Sequence, residues 1–166
     1  MPNSFSHHIV KSLLNKHLSS NSLYNPNQSS YNKHHCTETT LLYLHDHLIV
    51  TKSHQQVSCL CLLNLSAAFD TIDHSILLHR LSSLFGITQA ALTWFKTYLS
   101  ASSFSVLASG FTSPPYPLSC GVSQGSVLGP IIFNMSTTPF STLISSRSLN
   151  HHLYADDTQI FILFCT

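Results

Sequence analysis

The chain has 166 residues, of which only 8% are charged, and its formal net charge is +1 with neutral histidine. An ordinary soluble domain has about 25% charged residues, and this composition excludes a coiled coil, a collagen-like repeat and a highly charged disordered tail. The strongly basic balance of a self-sufficient nucleic-acid-binding domain is also missing. The length and a hydrophobic content of 43% predict one domain of ordinary size with its own core.

Targeting and cysteine signals bear on the compartment. The first eight residues are polar and form no secretory signal, and no segment approaches the ~18 apolar residues of a membrane span. We therefore expect an intracellular protein of the cytoplasm or nucleus, neither secreted nor membrane-bound. The five cysteines are odd in number and irregularly spaced, which favours reduced thiols.

The first half of the chain is mostly helical by its periodicity. Residues 5–20 place apolar side chains on one helical face, and a polar stretch over residues 19–35 indicates an extended loop. Residues 37–50 predict a second helix with Thr37 as its N-cap. The nearly continuous apolar run over residues 57–65 predicts a central strand covered on both faces.

Three further helices are predicted downstream. Residues 75–85 form one, with Asp73 as its N-cap, and residues 89–99 form another, with Thr88 as its N-cap. A third begins near Ser126, after a loop. Each of the two capped helices carries an apolar face that predicts packing against a core.

Strands are expected at residues 104–108 and on both sides of an aspartate pair. The apolar segments 151–155 and 158–164 flank Asp156 and Asp157, which predicts a β-hairpin with both carboxylates at its tip. Adjacent carboxylates repel each other, and a hard divalent cation such as Mg²⁺ would offset that repulsion. An exposed Asp-rich turn explains the pair equally well, so the residues alone leave both explanations open.

Four ordered blocks resolve this ambiguity by resemblance. They are residues 35–39 (HCTET), 62–74 (LLNLSAAFDTIDH), 120–130 (CGVSQGSVLGP) and 154–157 (YADD). The chain resembles the reverse transcriptases of non-LTR, LINE-type retrotransposons, close to the jockey-like group, from about Lys11 onward.

The resemblance implies an α+β fold, a partial fingers-and-palm with an antiparallel sheet packed by helices. It implies an N-terminal helix and a partly disordered polar loop over residues 1–35. A partial palm-and-fingers domain follows over residues 36–166, and we expect it to be truncated after the YADD hairpin. The sheet is expected to bring Asn64 beside Asp156.

The family copies RNA into DNA by phosphoryl transfer with two Mg²⁺ ions. The resemblance implies that Asp156 and Asp157 are the catalytic metal ligands, with Asp156 as the principal one. A third carboxylate belongs at the position of Asn64. Because an amide is neutral and a weaker ligand, we expect the metal site to be weakened and polymerase activity to be severely reduced.

The resemblance also implies partners and their contacts. These partners are an RNA template, a DNA primer and deoxynucleoside triphosphates. Phe69 matches the position under the incoming sugar, Gln124 and Gly125 match a segment that contacts template and nucleotide, and Lys33 lies where the family binds phosphates. Two departures weaken this set: Ser123 replaces a proline, and Asn32 stands at an often basic position.

Two other hypotheses stay open. One is a non-catalytic RNA-binding or interaction module, retained after catalysis was lost. The other, ranked far behind, is a small structural zinc protein. Its histidine and cysteine clusters reproduce no paired zinc-ligand spacing; they are His7-His8, His34-His35-Cys36 and His151-His152. Since only nine residues follow Asp157, we expect the primer grip and thumb to be missing, and polymerisation to stay low even in Asn64→Asp.

Overall fold

The computed structural model describes residues 4–32, 35–54, 57–123 and 125–164. Two predicted contacts, Lys33 and Gln124, lie outside these residues, as does His34 of the histidine cluster. The chain divides into two compact units, Met1–Leu23 with Phe69–Ser136 and Tyr24–Ala68 with Thr137–Thr166. The boundary at residue 35 stays a prediction.

The described elements confirm the α+β class. The helices are α1 (Ser4–Ser20), α2 (Thr37–Ser53), α3 (His74–Ser83), α4 (Gln89–Ser100) and α5 (Gly129–Ser146). The strands are β1 (Val57–Asn64), β2 (Ser103–Phe104), β3 (Leu107–Ala108), β4 (Phe111–Thr112), β5 (Tyr116–Pro117), β6 (Asn150–Tyr154) and β7 (Asp157–Phe164). In the part of the chain described, no helix is both long and apolar enough to cross a membrane.

The N-cap residues of α3 and α4 are the predicted ones, whereas that of α2 is not. Asp73 caps α3 as predicted, since its carboxylate accepts the Ile76 N–H at 2.9 Å. The prediction that Thr37 caps α2 is wrong, because the N-cap is Cys36 and Thr37 is the first helical residue. The Thr39 hydroxyl accepts the Cys36 N–H at 3.0 Å, which holds Cys36 in the extended cap conformation.

The first unit has an apolar core built from helix faces. In α3 the buried apolar side chains are Leu77 and Leu81, and in α4 they are Phe95 and Leu99. Both pairs have i, i+4 spacing, which puts each pair on one helical face. The burial of these faces supplies the hydrophobic stabilisation of this unit.

The predicted single strand over residues 104–108 is wrong. Phe104 of β2 pairs with Tyr116, whereas Ala108 of β3 pairs with Phe111. Gly110 has a φ of 84°, which turns the chain back tightly enough to pair β3 with β4. The segment therefore forms two short pairings instead of one strand.

The second unit contains a three-stranded antiparallel sheet with the order β1-β7-β6. The prediction that residues 57–65 form a central strand is wrong: β7 is central, and β1 is an edge strand. Leu62 is 66% exposed and Leu63 is 41% exposed, so the described residues do not cover both faces of β1. An apolar run predicts burial on both faces, but it does not identify which segments supply the cover.

Candidate active site

The aspartate pair lies at the tip of a tight hairpin, close to the predicted bounds. Tyr154 pairs with Asp157 and closes a two-residue loop, Ala155-Asp156. Ala155, the first residue of this loop, has a φ of 54°, which is unfavourable for a residue with a Cβ. Asp156 is half-buried and Asp157 is exposed.

Strand pairing brings Asn64 to this tip, one residue away from its expected neighbour. Asn64 lies opposite Asp157, and its Nδ2 donates to Asp157 Oδ1 at 3.2 Å. Asp156 instead meets the backbone of Leu65, whose N–H donates to the Asp156 carbonyl at 3.0 Å. The end of β1 is therefore hydrogen-bonded to both residues of the aspartate pair.

Tyr31 also interacts electrostatically with the tip. Burial raises the pKa of Tyr31, and the nearby negative charge of Asp156 raises it further, followed by Tyr154. The effect of Asp156 shows that its carboxylate lies within electrostatic reach of the Tyr31 phenol. Tyr31 therefore belongs to the surroundings of the aspartate pair.

The segment before Tyr31 supports the hairpin through backbone pairing. Leu153 N–H donates to the Asn27 carbonyl at 2.7 Å, and Ser29 N–H donates to the Leu153 carbonyl at 3.0 Å. The Ser29 hydroxyl also lies 2.9 Å from His152 Nε2. The segment that the sequence predicts to be an extended loop therefore pairs with β6 at Leu153.

Two buried histidines complete this support. Asn27 Nδ2 donates to His151 Nε2 at 3.2 Å, and the Ser141 hydroxyl lies 2.6 Å from the same nitrogen. Burial lowers the pKa of His151, an effect opposed by the Leu149 carbonyl. The pKa of His152 is lowered first by burial and then by nearby histidines. Both rings are therefore favoured in the neutral form.

The ligands at the tip fit a hard cation, but with reduced charge. Asp156 and Asp157 offer carboxylate oxygens, which are the ligands that Mg²⁺ prefers. Because a carboxylate only accepts hydrogen bonds, the Asn64 amide turns its nitrogen toward Asp157. Within the ranges that the structure describes, no three His, Cys, Asp or Glu side chains group together to hold a metal.

In the first unit, two of the sequence blocks are joined by hydrogen bonds. Val122 N–H donates to the Phe69 carbonyl at 2.9 Å, and Gly121 N–H donates to the Ile72 carbonyl at 2.8 Å. The His74 ring donates from Nε2 to the Gly121 carbonyl at 2.7 Å. These hydrogen bonds hold the 62–74 block against the 120–130 block.

Phe69 has a packing role that accounts for its side chain. It is buried, and it stacks on Phe133 with ring centroids 4.5 Å apart. These contacts are those of an aromatic side chain in the hydrophobic core. The role of Phe69 under an incoming sugar stays a prediction.

The two glycines of the 120–130 block differ in their surroundings. A Cβ on Gly129 would lie 2.6 Å from the Ser123 carbonyl oxygen, so the close approach of backbone requires glycine there. A Cβ on Gly125 would meet none of the described residues within 4 Å. The space beside Gly125 suits its predicted contact with template and nucleotide.

Sequence reasoning missed two neighbours of the aspartate pair. Gln28 is 2% exposed and contacts Ala155, and Tyr31 lies within electrostatic reach of Asp156. Both come from a polar stretch whose composition is typical of loops. A buried glutamine in such a stretch gives no local signal of its contact with the aspartate turn, because Ala155 lies 127 positions away.

Comparison with known proteins defines the class. Residues 4–163 match the family described as reverse transcriptase (RNA-dependent DNA polymerase), and the chain belongs to this family. Reverse transcriptases work on nucleic-acid templates and generally use divalent metal ions. The family match confirms the sequence resemblance over nearly the whole chain.

Particular relatives agree with this assignment. The chain is similar to the RNA-directed DNA polymerase from mobile element jockey of Drosophila melanogaster, with 34% identity over 103 residues. The Drosophila funebris protein of the same name is 31% identical over 105 residues. These matches cover 59% and 60% of this chain, and 11% of each relative.

A solved structure supports the fold alone. The apo telomerase of Candida tropicalis, truncated from its C-terminal domain, superimposes with a TM-score of 0.64 at 12% identity. The match covers 93% of this chain and 34% of the telomerase chain. The partial fingers-and-palm architecture predicted from sequence is consistent with this likeness.

Proposed function

We propose that this chain is a reverse transcriptase domain whose nucleotidyl-transfer site is present but impaired. Asp156 and Asp157 would hold Mg²⁺, and Asn64 would weaken that site. The observation that carries the proposal is the hydrogen bond from Asn64 Nδ2 to Asp157 Oδ1 at 3.2 Å. This bond supports the proposal because the third carboxylate of the family is expected at the position of Asn64, beside the aspartate pair.

The impairment follows from charge. The family site presents three carboxylates, whereas this tip presents two carboxylates and one neutral amide. When bound, Mg²⁺ ions supply activation of the primer hydroxyl and stabilisation of the leaving pyrophosphate. With one negative group fewer, Asp156 and Asp157 hold divalent cations more weakly, and this reduces the electrostatic stabilisation on which catalysis of phosphoryl transfer chiefly depends.

The partners that we propose are an RNA template, a DNA primer and deoxynucleoside triphosphates. A Cβ on Gly125 would meet nothing within 4 Å in the described parts of the chain, which leaves space for a template or nucleotide. Phe69, Gln124 and Lys33 are proposed contacts because of their positions in the family motifs. The free, exposed thiols include Cys36, which supports a reducing intracellular compartment.

Primer extension tests this proposal. We expect the natural chain, given an RNA template, an annealed DNA primer, deoxynucleotides and Mg²⁺ or Mn²⁺, to extend the primer no further than Asp156→Asn does. Robust extension by the natural chain that Asp156→Asn abolishes would contradict the impairment. Salt-dependent RNA binding without extension, together with a Mn²⁺ affinity that Asn64→Asp does not increase, would favour the alternative of a non-catalytic RNA-binding module.

A further inference from the structure

The side chain of Gln28 holds the aspartate turn at Ala155. Its Oε1 accepts the Ala155 N–H at 3.2 Å, and its Nε2 donates to the Ala155 carbonyl at 3.4 Å. The same Oε1 accepts from the backbone N–H and the hydroxyl of Ser30, each at 3.1 Å. One buried amide thus engages both backbone groups of a residue 127 positions away.

The contact occurs where the hairpin is strained. The φ of 54° at Ala155 lies in the left-handed region, which is unfavourable for a residue with a Cβ. Ala155 directly precedes Asp156, so its backbone conformation sets the direction from which the Asp156 carboxylate leaves the chain. An interaction that fixes both polar groups of Ala155 therefore fixes the start of Asp156.

The backbone groups around the Gln28 side chain require an amide at this position. Two backbone N–H groups, from Ser30 and Ala155, point at one side-chain atom and demand an acceptor there. The Ala155 carbonyl demands a donor on the other atom. A carboxylate supplies no donor and would bring a buried charge, while an apolar side chain supplies neither group.

We propose that Gln28 is a positioning residue for the cation site of Asp156 and Asp157. It acts by holding Ala155 in its positive-φ turn, with the adjacent pairing of Ser29 and Asn27 on Leu153 keeping Gln28 in register. The inference rests on the proposed function, because it assigns Gln28 a role in a cation site. The hold on the turn is a property of the fold and is measurable separately.

The test uses the full chain with Asn64→Asp as the parent, and Mn²⁺ alone as the probe. Gln28→Met keeps side-chain length and removes both polar groups. We expect about fivefold weaker Mn²⁺ binding, as loss of one net hydrogen bond implies, and a lower protection factor of the Ala155 amide in hydrogen exchange. Gln28→Asn, one methylene too short to reach Ala155, is expected to give the same two changes should Gln28→Met not fold.

The matched control is Gln159→Met, in the neighbouring strand β7. Gln159 Oε1 is buried without a partner among the described residues, so both readouts are expected to stay at the parent level. A general effect of replacing a glutamine with methionine would change both readouts at both positions. A selective effect at Gln28 therefore isolates its contact with the turn.

The decisive experiment removes the backbone strain at Ala155. Glycine adopts a positive φ freely, so Ala155→Gly should make the turn independent of Gln28. Adding Gln28→Met to Ala155→Gly is expected to leave Mn²⁺ affinity within about twofold of Ala155→Gly alone. Equal losses in both backgrounds, or a folded Gln28→Met with parent affinity, would overturn the inference. If the parent binds no Mn²⁺, the proposed function fails, and the Ala155 protection factor still decides whether Gln28 holds the turn.

Discussion

At the scale of single residues, the proposed loss at Asn64 is a loss of charge and not of geometry. An amide has nearly the shape of a carboxylate, and Asn64 keeps its pairing opposite Asp157 at the end of β1. The change is electrostatic, since a hydrogen-bond donor now faces Asp157 Oδ1. In the proposed site, the strand pairing would therefore be kept while one negative charge is missing.

Gly129 offers a stability prediction at the same scale, with Gly125 as its matched control. We expect Gly129→Ala to lower the free energy of unfolding of the first unit by about 1–3 kcal/mol, because its Cβ would meet the Ser123 carbonyl at 2.6 Å. Gly125→Ala, whose Cβ would meet no residue that the structure describes within 4 Å, should change this free energy by less than about 0.5 kcal/mol. Urea unfolding followed by fluorescence of Trp94, the sole tryptophan, measures both; equal effects would refute the steric explanation.

Local signals predicted some residues well and others not at all. Asp73 was predictable as an N-cap because its bond to Ile76 spans three residues. Asp156 and Asp157 were predictable as a hairpin tip because apolar segments flank them. Gln28 was not, since its role depends on a partner 127 positions away. Sequence patterns predict contacts between residues that are close in the chain, whereas the contacts that hold this site join residues that are far apart in the chain.

At the scale of elements, strand β6 forms one side of the hairpin and carries buried histidines that hydrogen-bond to polar neighbours. Its His151 and His152 are buried, and their polar neighbours include Ser29, Asn27 and Ser141. Such an interior stays stable only while each polar group keeps its partner. The support of the aspartate turn is therefore expected to respond to protonation of these rings.

Protonation should loosen β6 in mildly acidic solution. Burial lowers the pKa of His151 and His152 below the ordinary value of 6.5, so the unfolded chain binds protons more readily than the folded chain. Stability is then fully present above pH 6.5 and decreases as the pH falls below it toward the folded pKa. We expect the protection factor of the Leu153 amide to be lower at pH 5.5 than at pH 7.5, as measured by hydrogen exchange.

His151→Gln tests whether these rings cause the effect. The substitution removes one titrating ring and should reduce the pH dependence at Leu153, whereas His79→Gln, at an exposed position of α3, should leave it unchanged. A Leu153 protection factor that is constant, or that rises on acidification, would show that protonation of this pair does not weaken β6.

Strand β1 shows where element prediction fails. Its bounds were predictable from nine consecutive, mostly apolar residues, but its place in the sheet was not. Strand order depends on which segments pair, and β7 takes the centre by pairing with both β1 and β6. The exposed Leu62 and Leu63 leave part of the apolar surface of β1 uncovered by the described residues.

For the whole chain, composition predicted less than the ordered motifs did. A net charge of +1 with only seven lysine and arginine residues argues against a self-sufficient nucleic-acid binder, yet the chain belongs to a family that copies nucleic acid. The chain spans 11% of the length of its jockey relatives. The family was predictable because four blocks occur in order, each at a point where the fold needs particular residues.

The most direct test of the central claim is the Mn²⁺ affinity of the natural chain compared with that of Asn64→Asp, measured by water-proton relaxation. One added carboxylate beside Asp156 and Asp157 should tighten binding by about tenfold, as ~1.4 kcal/mol of added attraction implies. Asn150→Asp, at the far end of β6, should bind like the natural chain. Equal affinity in the natural chain and Asn64→Asp would contradict the assignment of the cation site to this hairpin tip.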